Sequence, residues 1–329
     1  MGSALPRGVF LLSLDLELAW GGVHGGSWRR RAPLYARTRE VVHRLLALLA
    51  RYEVRATWAV VGHLLLERCA PVDGVKHPEV VRPTYAWRRA DWFADDPCGD
   101  ASTEPCWYAP DLVRAIRACP VPQEVGSHGF SHLIVGDPGC GETAFASELL
   151  AAQDAAARLG LALRSFVYPR NALGHVETLA AHGFACYRGV TPRWYGRLPR
   201  PLRRVGRAVD HLLPVAPPVA QPRRVGGVWE FPDSQLYLHR QGWGRLVPVG
   251  LRVRKAVWGL RRAARERALF HLWCHPFNLA SDPEGLLGGL EAVFREAARL
   301  RARGLLESRA MGELAAGLDR EAVQGGAAA

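Results

Sequence analysis

The chain contains 329 residues, of which 49% are hydrophobic and 22% are charged. This composition is typical of a globular protein and argues against a fibrous or largely disordered one. Its seven cysteines include no C-x-x-C pair, which argues against a disulfide-rich secreted framework. The apolar run 9–14 is too short for a secretory or membrane-spanning segment. We therefore expect a cytoplasmic protein without a transmembrane segment.

The net charge of +12 is concentrated in one stretch of the chain. Residues 188–267 contain 18 Lys and Arg against four Asp and Glu, a net charge of +14. Such a band is usually a solvated surface, but it also suits an anionic substrate, a polyphosphate carrier or the periphery of a membrane. Only two of the 43 basic residues are lysines, and genomic base composition can produce such an excess of arginine. No specific nucleic-acid partner is therefore expected.

Short apolar runs alternate with longer amphipathic segments, which is typical of parallel strands connected by helices. The predicted fold class is therefore α/β. Predicted strands cover residues 9–14, 54–61, 121–126, 164–168, 184–188, 228–231 and 269–274. Predicted helices cover residues 35–51, 142–159, 176–182, 203–212, 242–267 and 284–303.

Two irregular stretches interrupt this alternation. Residues 68–110 are rich in Pro, Trp and Asp and are predicted to form an insertion that carries one or two helices around 84–92. Residues 191–224 are rich in Pro and Arg and are predicted to form a long connection. Because no repeat or boundary is visible, we expect one domain over 1–323, followed by a disordered tail over 324–329.

The residues best suited to chemistry follow predicted strands, where α/β barrels place their functional groups. Asp15 and Glu17 follow the first strand, and their spacing puts both carboxylates on one side of an extended chain. His128 and His132 follow a later strand, and two imidazoles at this spacing can bind one metal ion, although they also occur by chance on an amphipathic turn. His275 directly follows the last predicted strand and precedes a proline.

The order and spacing of these motifs resemble the polysaccharide deacetylase family, also called the NodB homology domain or carbohydrate esterase family 4. The resemblance covers most of the chain. It rests on the paired acids, the run Ala-Thr-Trp-Ala-Val-Val-Gly, then Ser-His-x-x-x-His, Tyr-Pro, Trp-Glu-Phe-Pro and Leu-Trp-Cys-His-Pro. It implies a single-domain, distorted and incomplete (β/α) barrel, and metal-dependent removal of N-acetyl or O-acetyl groups from sugars.

The resemblance also implies roles for individual residues. Asp15 matches the general base, and His275 matches the acid that protonates the leaving amine. Glu17, His128 and His132 match the metal ligands. The implied cofactor is a divalent metal ion, with Zn²⁺ preferred and Co²⁺, Ni²⁺ or Mn²⁺ as alternatives. Such an ion would polarise the acyl oxygen and activate water, with a backbone N–H near residues 168–170 helping to hold the oxyanion.

The chain departs from the family pattern in the paired acids and at the family arginine, and Glu17 stands where the family usually has aspartate. Leu16 separates Asp15 from Glu17, whereas the family's paired acids are adjacent. This spaced form resembles the branch that contains some peptidoglycan deacetylases and metal-independent, allantoinase-like proteins. Val167 occupies the position of the family arginine, so we expect Arg170 to orient Asp15 instead.

Four further residues are candidates for contact with substrate. Trp20 and His24 lie in the glycine-rich loop after Glu17, where they can either bind a sugar or pack the loop. Tyr168 belongs to the Tyr-Pro motif. Trp273 can either line the pocket or fill the barrel.

Three other residues with reactive side chains are predicted to have structural rather than chemical roles. His63 and His271 are interpreted as hydrogen-bonded structural histidines rather than as ligands. Cys274, next to the histidine of the His-Pro motif, is interpreted as a buried small hydrophobic residue rather than a nucleophile.

The predicted function is removal of an N-acetyl group from an amino sugar in glycan or natural-product assembly. The substrate is expected to be nucleotide-linked, lipid-linked or a small glycoside. One alternative is an amidase or allantoinase-like hydrolase of the same fold. Another is an inactive barrel that binds a polyanion or a membrane surface through residues 188–267.

Overall fold

The computed structural model describes residues 5–326 of the chain. The strands are β1 Gly8–Leu16, β2 Thr57–Val60, β3 Glu124–Ser127, β4 Ser165–Val167, β5 Cys186–Gly189, β6 Arg223–Val225, β7 Val228–Pro232, β8 Gln235–Leu236, β9 Leu269–Cys274 and β10 Leu306–Arg309. The α-helices are α1 Trp28–Arg51, α2 Pro110–Arg117, α3 Glu142–Ala157, α4 Val176–Ala181, α5 Arg200–Leu212, α6 Val249–Glu266, α7 Pro276–Leu279, α8 Pro283–Ala302 and α9 Met311–Gly326.

The strands form one curved sheet in the order β6-β7-β5-β4-β3-β2-β1-β9-β8. Every pairing in this order is parallel except that of β6 with β7. All nine residues of β1 are buried, as expected for a strand that is covered on both faces. β10 pairs with the first half of β1, on the side that β2 occupies along the second half.

The sheet curls because the chain passes directly from β7, near one end of the strand order, to β8 at the other end. Two residues make this connection. The backbone N–H of Asp233 donates to Gly189 of β5, and that of Ser234 donates to His271 of β9. Parallel strands alternate with outer helices around this curl. The fold is therefore the predicted distorted (β/α) barrel.

Alternation along the strands divides the barrel interior into an apolar layer and a polar layer. Val9 and Leu11 of β1 pack with Met311 of α9, so α9 plugs the barrel at the amino ends of the strands. Ser13 and Asp15 follow on the same face of β1, because side chains alternate with a period of two. The polar layer consequently lies at the carboxyl ends of the strands, above the plug.

Two sequence predictions are wrong outside the barrel. Residues 66–109 contain turns but no α-helix, so the helices expected around 84–92 are absent. Side chains hold this backbone instead: Arg82 donates to the carbonyls of His77 and Val80 at 2.6 and 2.8 Å. Residues 324–326 belong to α9 rather than to a disordered tail, and 327–329 lie outside the described residues.

Among the described residues, no helix combines the length and apolarity required to cross a bilayer.

Candidate active site

Asp15 is held by a buried arginine at the carboxyl end of β5. The two terminal nitrogens of Arg188 donate to the two carboxylate oxygens of Asp15, each at 2.7 Å. Arg188 also donates to Ser13 at 2.9 Å and to Asn171 at 3.0 Å, and its guanidinium lies 4.3 Å from the ring centre of Trp273. Burial raises the pKa of Asp15, but the adjacent Arg188 outweighs it and lowers that pKa. Asp15 is therefore a fixed carboxylate.

The prediction that Arg170 orients Asp15 is wrong. Arg170 lies in a turn with a left-handed φ of 56°, and its side chain is exposed. Arg188 makes the contact with Asp15 that was expected of Arg170. The sequence contained a signal for it, because Arg188 is the last residue of the predicted strand 184–188. Arg170 still lines the cavity beside the site, where it can meet a substrate.

Glu17, His128 and His132 converge on one point. Glu17 Oε2 lies 2.9 Å from His132 Nε2 and 3.4 Å from His128 Nε2. The three side chains are buried. Burial raises the pKa of Glu17, but His275 and His132 outweigh it and hold that pKa well below the usual range.

Contacts at the far nitrogen of each imidazole orient these two histidines. His128 Nδ1 donates to the carbonyl oxygen of Val167 at 2.7 Å, which leaves the Nε2 lone pair facing Glu17. His132 Nδ1 lies 2.7 Å from Nε2 of His24. Burial, together with nearby His132, lowers the pKa of His24 to about 2, so a neutral His24 can accept this hydrogen bond. Such outer contacts fix the tautomer of metal-binding histidines.

The donor set fits a divalent metal ion. Two imidazole nitrogens and one carboxylate are a common catalytic zinc set, and three protein ligands leave a coordination position open. All three ligand atoms lie within 4.8 Å of one another. Their chemistry and spacing are therefore those of a candidate metal centre formed by Glu17, His128 and His132.

The loop that carries the two histidines is anchored by Glu148 of α3, a residue that the sequence prediction missed. Its carboxylate accepts from the backbone N–H of Phe130 at 2.8 Å and of Ser131 at 2.9 Å, and also from the Ser131 hydroxyl. The loop needs this support because His132 has a left-handed φ of 65°, which a residue with a side chain rarely adopts. The available signal in the sequence was an acidic residue among the apolar positions of an Ala-rich helix.

His275 approaches both carboxylates from the opposite direction. Its Nε2 lies 3.5 Å from Glu17 Oε1 and 3.8 Å from Asp15 Oδ2. The side-chain amide of Asn278 lies 3.2 Å from His275 Nδ1 and holds the ring with Nε2 toward the two carboxylates. His275 remains 19% exposed, whereas Asp15 and Glu17 are buried, and it can therefore meet a ligand in the cavity.

The residues predicted to contact substrate have different environments. Trp20 is fully buried against Trp107, so it packs its loop and cannot contact substrate. Tyr168 is also buried and donates to the Gly174 carbonyl at 2.9 Å, which corrects that prediction too. His24 contacts His132 rather than the cavity. Trp273 does line the cavity, and its indole N–H donates to Asp233 at 3.3 Å.

A cavity of about 520 Å³ opens beside Asp15, His128 and His275. Its lining extends into the segment 188–267, and most of the charged side chains in the lining are basic. The three acidic side chains of the lining are Asp15, Asp210 and Asp233. The six basic side chains are Arg170, Arg188, Arg193, Arg207, Arg252 and Lys255.

Neither protein-family models nor curated protein sequences match the chain, but solved structures do. A Mycobacterium smegmatis protein assigned as a polysaccharide deacetylase is 14% identical, with a TM-score of 0.65 over 97% of this chain and 94% of that chain. A Pseudomonas aeruginosa PAO1 protein with the same assignment is 12% identical, with a TM-score of 0.57 over 95% of this chain and 91% of that chain.

A third similar structure belongs to a different kind of enzyme. The 4-alpha-glucanotransferase from Thermococcus litoralis is 13% identical, with a TM-score of 0.50 over 93% of this chain and 40% of that chain. Taken together, the comparisons establish that the chain has the fold of the polysaccharide deacetylases. Because one fold can support different reactions, its activity has to be argued from the site.

Proposed function

We propose that this protein is a metal-dependent hydrolase that removes an N-acetyl group from an amino sugar. The observation that carries the proposal is the arrangement of two proton-transfer groups beside one candidate metal centre. Asp15 is a fixed carboxylate, and His275 Nε2 lies 3.8 Å from it and 3.5 Å from Glu17 at the edge of the cavity. The deacetylase fold supports this assignment.

Glu17, His128 and His132 would hold the ion, for which Zn²⁺ is the proposed identity. When bound, the ion would supply Lewis-acid polarisation of the acyl oxygen and lower the pKa of water. Asp15 then acts as general base and accepts the proton of the attacking water. His275, as an imidazolium, donates its Nε2 proton to the nitrogen of the sugar as the carbon–nitrogen bond breaks, which leaves a neutral imidazole and releases acetate and the free amine.

The basic cavity supports a substrate that carries phosphate. Six basic side chains against three acidic ones favour an anionic ligand next to the reacting acetamido group. Nucleotide-linked and lipid-linked sugars both carry phosphate on the sugar. The proposed substrate is therefore an N-acetylated amino sugar on a phosphate-containing carrier.

The outward face of α5 favours the lipid-linked form. Leu202, Val205, Val209 and Leu212 follow the helical spacing and are 51%, 61%, 39% and 42% exposed. Arg207, on another face of α5, lines the cavity. An apolar stripe turned outward beside a basic cavity suits the surface of an anionic membrane. We therefore propose that the protein attaches peripherally to a membrane, in the cytoplasm as expected from the sequence.

Two rival functions remain alternatives. An allantoinase-like amidase would use the same histidines on a cyclic or linear amide. An inactive barrel would bind a polyanion through residues 188–267 without releasing acetate. Such binding would weaken steeply with salt, because neutralising a polyanion releases counterions.

The test is a panel of acetamido sugars presented to the purified protein in free, nucleotide-linked and lipid-linked forms. We expect acetate release from carrier-linked sugars, with the lipid-linked arm fastest. Acetate release restricted to free sugars would refute the carrier assignment. Steep salt-dependent binding without acetate from any arm would favour the inactive barrel.

A further inference from the structure

A second group of metal-binding side chains lies outside the active site, between the barrel and the irregular insertion. We call His63, Cys69, His77 and Asp96 the insertion cluster. His63 follows β2, and the other three belong to residues 66–109. Their four ligand atoms all lie within 4.8 Å of one another, and all but Cys69 are buried.

The separations between the ligand atoms are close to those around a tetrahedral zinc ion. Zinc bonds of about 2.0–2.1 Å to nitrogen or oxygen and about 2.3 Å to sulfur place neighbouring ligands about 3.3–3.6 Å apart. Asp96 Oδ2 lies 3.3 Å from His63 Nε2 and 3.0 Å from His77 Nε2. Cys69 Sγ lies 3.6 Å from His63 Nε2 and 3.9 Å from Asp96 Oδ2.

Outer contacts direct both imidazoles into the cluster. His63 Nδ1 donates to the Trp107 carbonyl at 3.1 Å, and His77 Nδ1 donates to Glu79 at 3.1 Å. Each Nε2 therefore points at the carboxylate of Asp96. Either a proton or a metal ion can lie between each Nε2 and this carboxylate, and the contacts at Nδ1 are those that orient metal-binding histidines.

We propose that the insertion cluster binds a structural Zn²⁺ ion through His63, Cys69, His77 and Asp96. Four protein ligands close the coordination sphere, which distinguishes this site from the three-ligand candidate metal centre of the active site. Cys69 releases its thiol proton when it binds the ion. The site therefore has no part in catalysis.

The ion would fasten the insertion to the loop of the active site. The backbone N–H of His63 donates to the carbonyl of Phe130 at 2.9 Å, and the ring of Phe130 lies 5.1 Å from that of His77. In addition, Trp92 of the insertion donates to the Ser131 hydroxyl at 2.7 Å. Phe130 and Ser131 lie between the two histidines of the candidate metal centre. Because the insertion has no helix, the cluster supplies the cross-link that local structure does not.

A competing arrangement is a disulfide between Cys69 and Cys98, whose sulfur atoms lie 3.3 Å apart. A disulfide would remove the thiolate ligand and exclude the zinc site. Two protons shared among the histidines and Asp96 are the other alternative. Both lack a bond between sulfur and a metal, so sulfur-to-metal spectroscopy separates them from the proposal.

The experiment is titration of the metal-stripped full-length protein, prepared under reducing conditions, with Co²⁺. Thiolate ligation produces a sulfur-to-cobalt charge-transfer band in the near ultraviolet, and Glu17, His128 and His132 contain no sulfur. We expect the band in the unaltered protein, in His128→Ala and in the control Cys119→Ser, whose thiol lies elsewhere. The band should be lost in Cys69→Ser and bleached by about one equivalent of Zn²⁺ per chain in His128→Ala.

Absence of the band from the unaltered protein would overturn the proposal, and so would full retention of the band in Cys69→Ser. If Cys69→Ser does not fold, His77→Ala replaces it, because loss of a nitrogen ligand should weaken Co²⁺ binding at least about tenfold while the thiol remains. Unchanged Co²⁺ affinity in His77→Ala would contradict the assignment. These results do not depend on acetate release, so they stand apart from the proposed function.

Discussion

At the residue scale, Arg188 decides the state of the proposed base. Asp15 is 2% exposed, and burial alone would favour its neutral form. The bidentate pair with Arg188 reverses this preference and also fixes the direction of the carboxylate. Because the folded-state pKa of Asp15 is lowered, its contribution to stability is present above its unfolded-state pKa and is lost as pH falls through the folded-state value.

Replacement of Arg188 by Gln is expected to move the acid limb of the pH–rate profile upward. Without the guanidinium, burial raises the pKa of Asp15, so the limb should move by about 1–3 pH units. Loss of orientation should also lower kcat by about 100-fold. The measurement is kcat and kcat/KM against pH. Arg170→Gln is the control, expected to change KM without moving the limb, and an unmoved limb in Arg188→Gln would contradict the role assigned to Arg188.

At the element scale, the carboxyl ends of the strands bring together side chains that are distant in sequence. β1 delivers Asp15 and Glu17, the loop after β3 delivers His128 and His132, and β9 delivers His275. Parallel pairing places all these ends at one edge of the sheet. Helix α3 contributes through Glu148, which holds the β3 loop from outside the barrel.

Replacement of Glu148 by Gln is expected to loosen the loop that carries His128 and His132. Both backbone N–H groups donate to one carboxylate oxygen and the Ser131 hydroxyl donates to the other. An amide has one accepting oxygen, so at least one of these buried donors loses its partner, at a cost of about 1–3 kcal/mol. The free energy of unfolding, measured in urea, should fall by that amount, and metal affinity at Glu17, His128 and His132 should weaken. Glu142→Gln, an exposed change at the start of the same helix, is the control. Unchanged metal affinity in Glu148→Gln would contradict this role.

Placing negative charges on the outward stripe of α5 is expected to weaken attachment to membranes. Burying one valine is worth about 1.5 kcal/mol, or roughly a tenfold change in affinity. The double variant Val205→Asp with Val209→Asp should therefore bind phosphatidylglycerol vesicles at least about tenfold more weakly in a flotation assay. Val323→Asp, at an exposed position of α9, is the matched control. Equal binding by both variants would argue against the membrane surface.

At the scale of the whole molecule, the sequence predicts the barrel but not the contacts between distant parts of the chain that complete it. Period-two and helical patterns are local, so they locate β1, β9 and the residues at their ends. Arg188 was missed because nothing local shows that it faces Asp15, 173 positions earlier in the chain. The packing of α9 against the amino ends of the strands was missed as well, because no local pattern shows where a helix near the end of the chain will pack. The insertion cluster was missed because its ligands follow no helical or strand spacing.

The central claim is that Asp15 and the candidate metal centre act together in removing an acetyl group. The most direct test is quantification of acetate released from a lipid-linked acetamido sugar by the unaltered protein and by Asp15→Asn. Asn cannot accept the proton of water, so the rate should fall by about 100-fold to 10,000-fold while the metal content stays the same. Equal acetate release by both proteins, or release of no acetate by the unaltered protein, would contradict the claim.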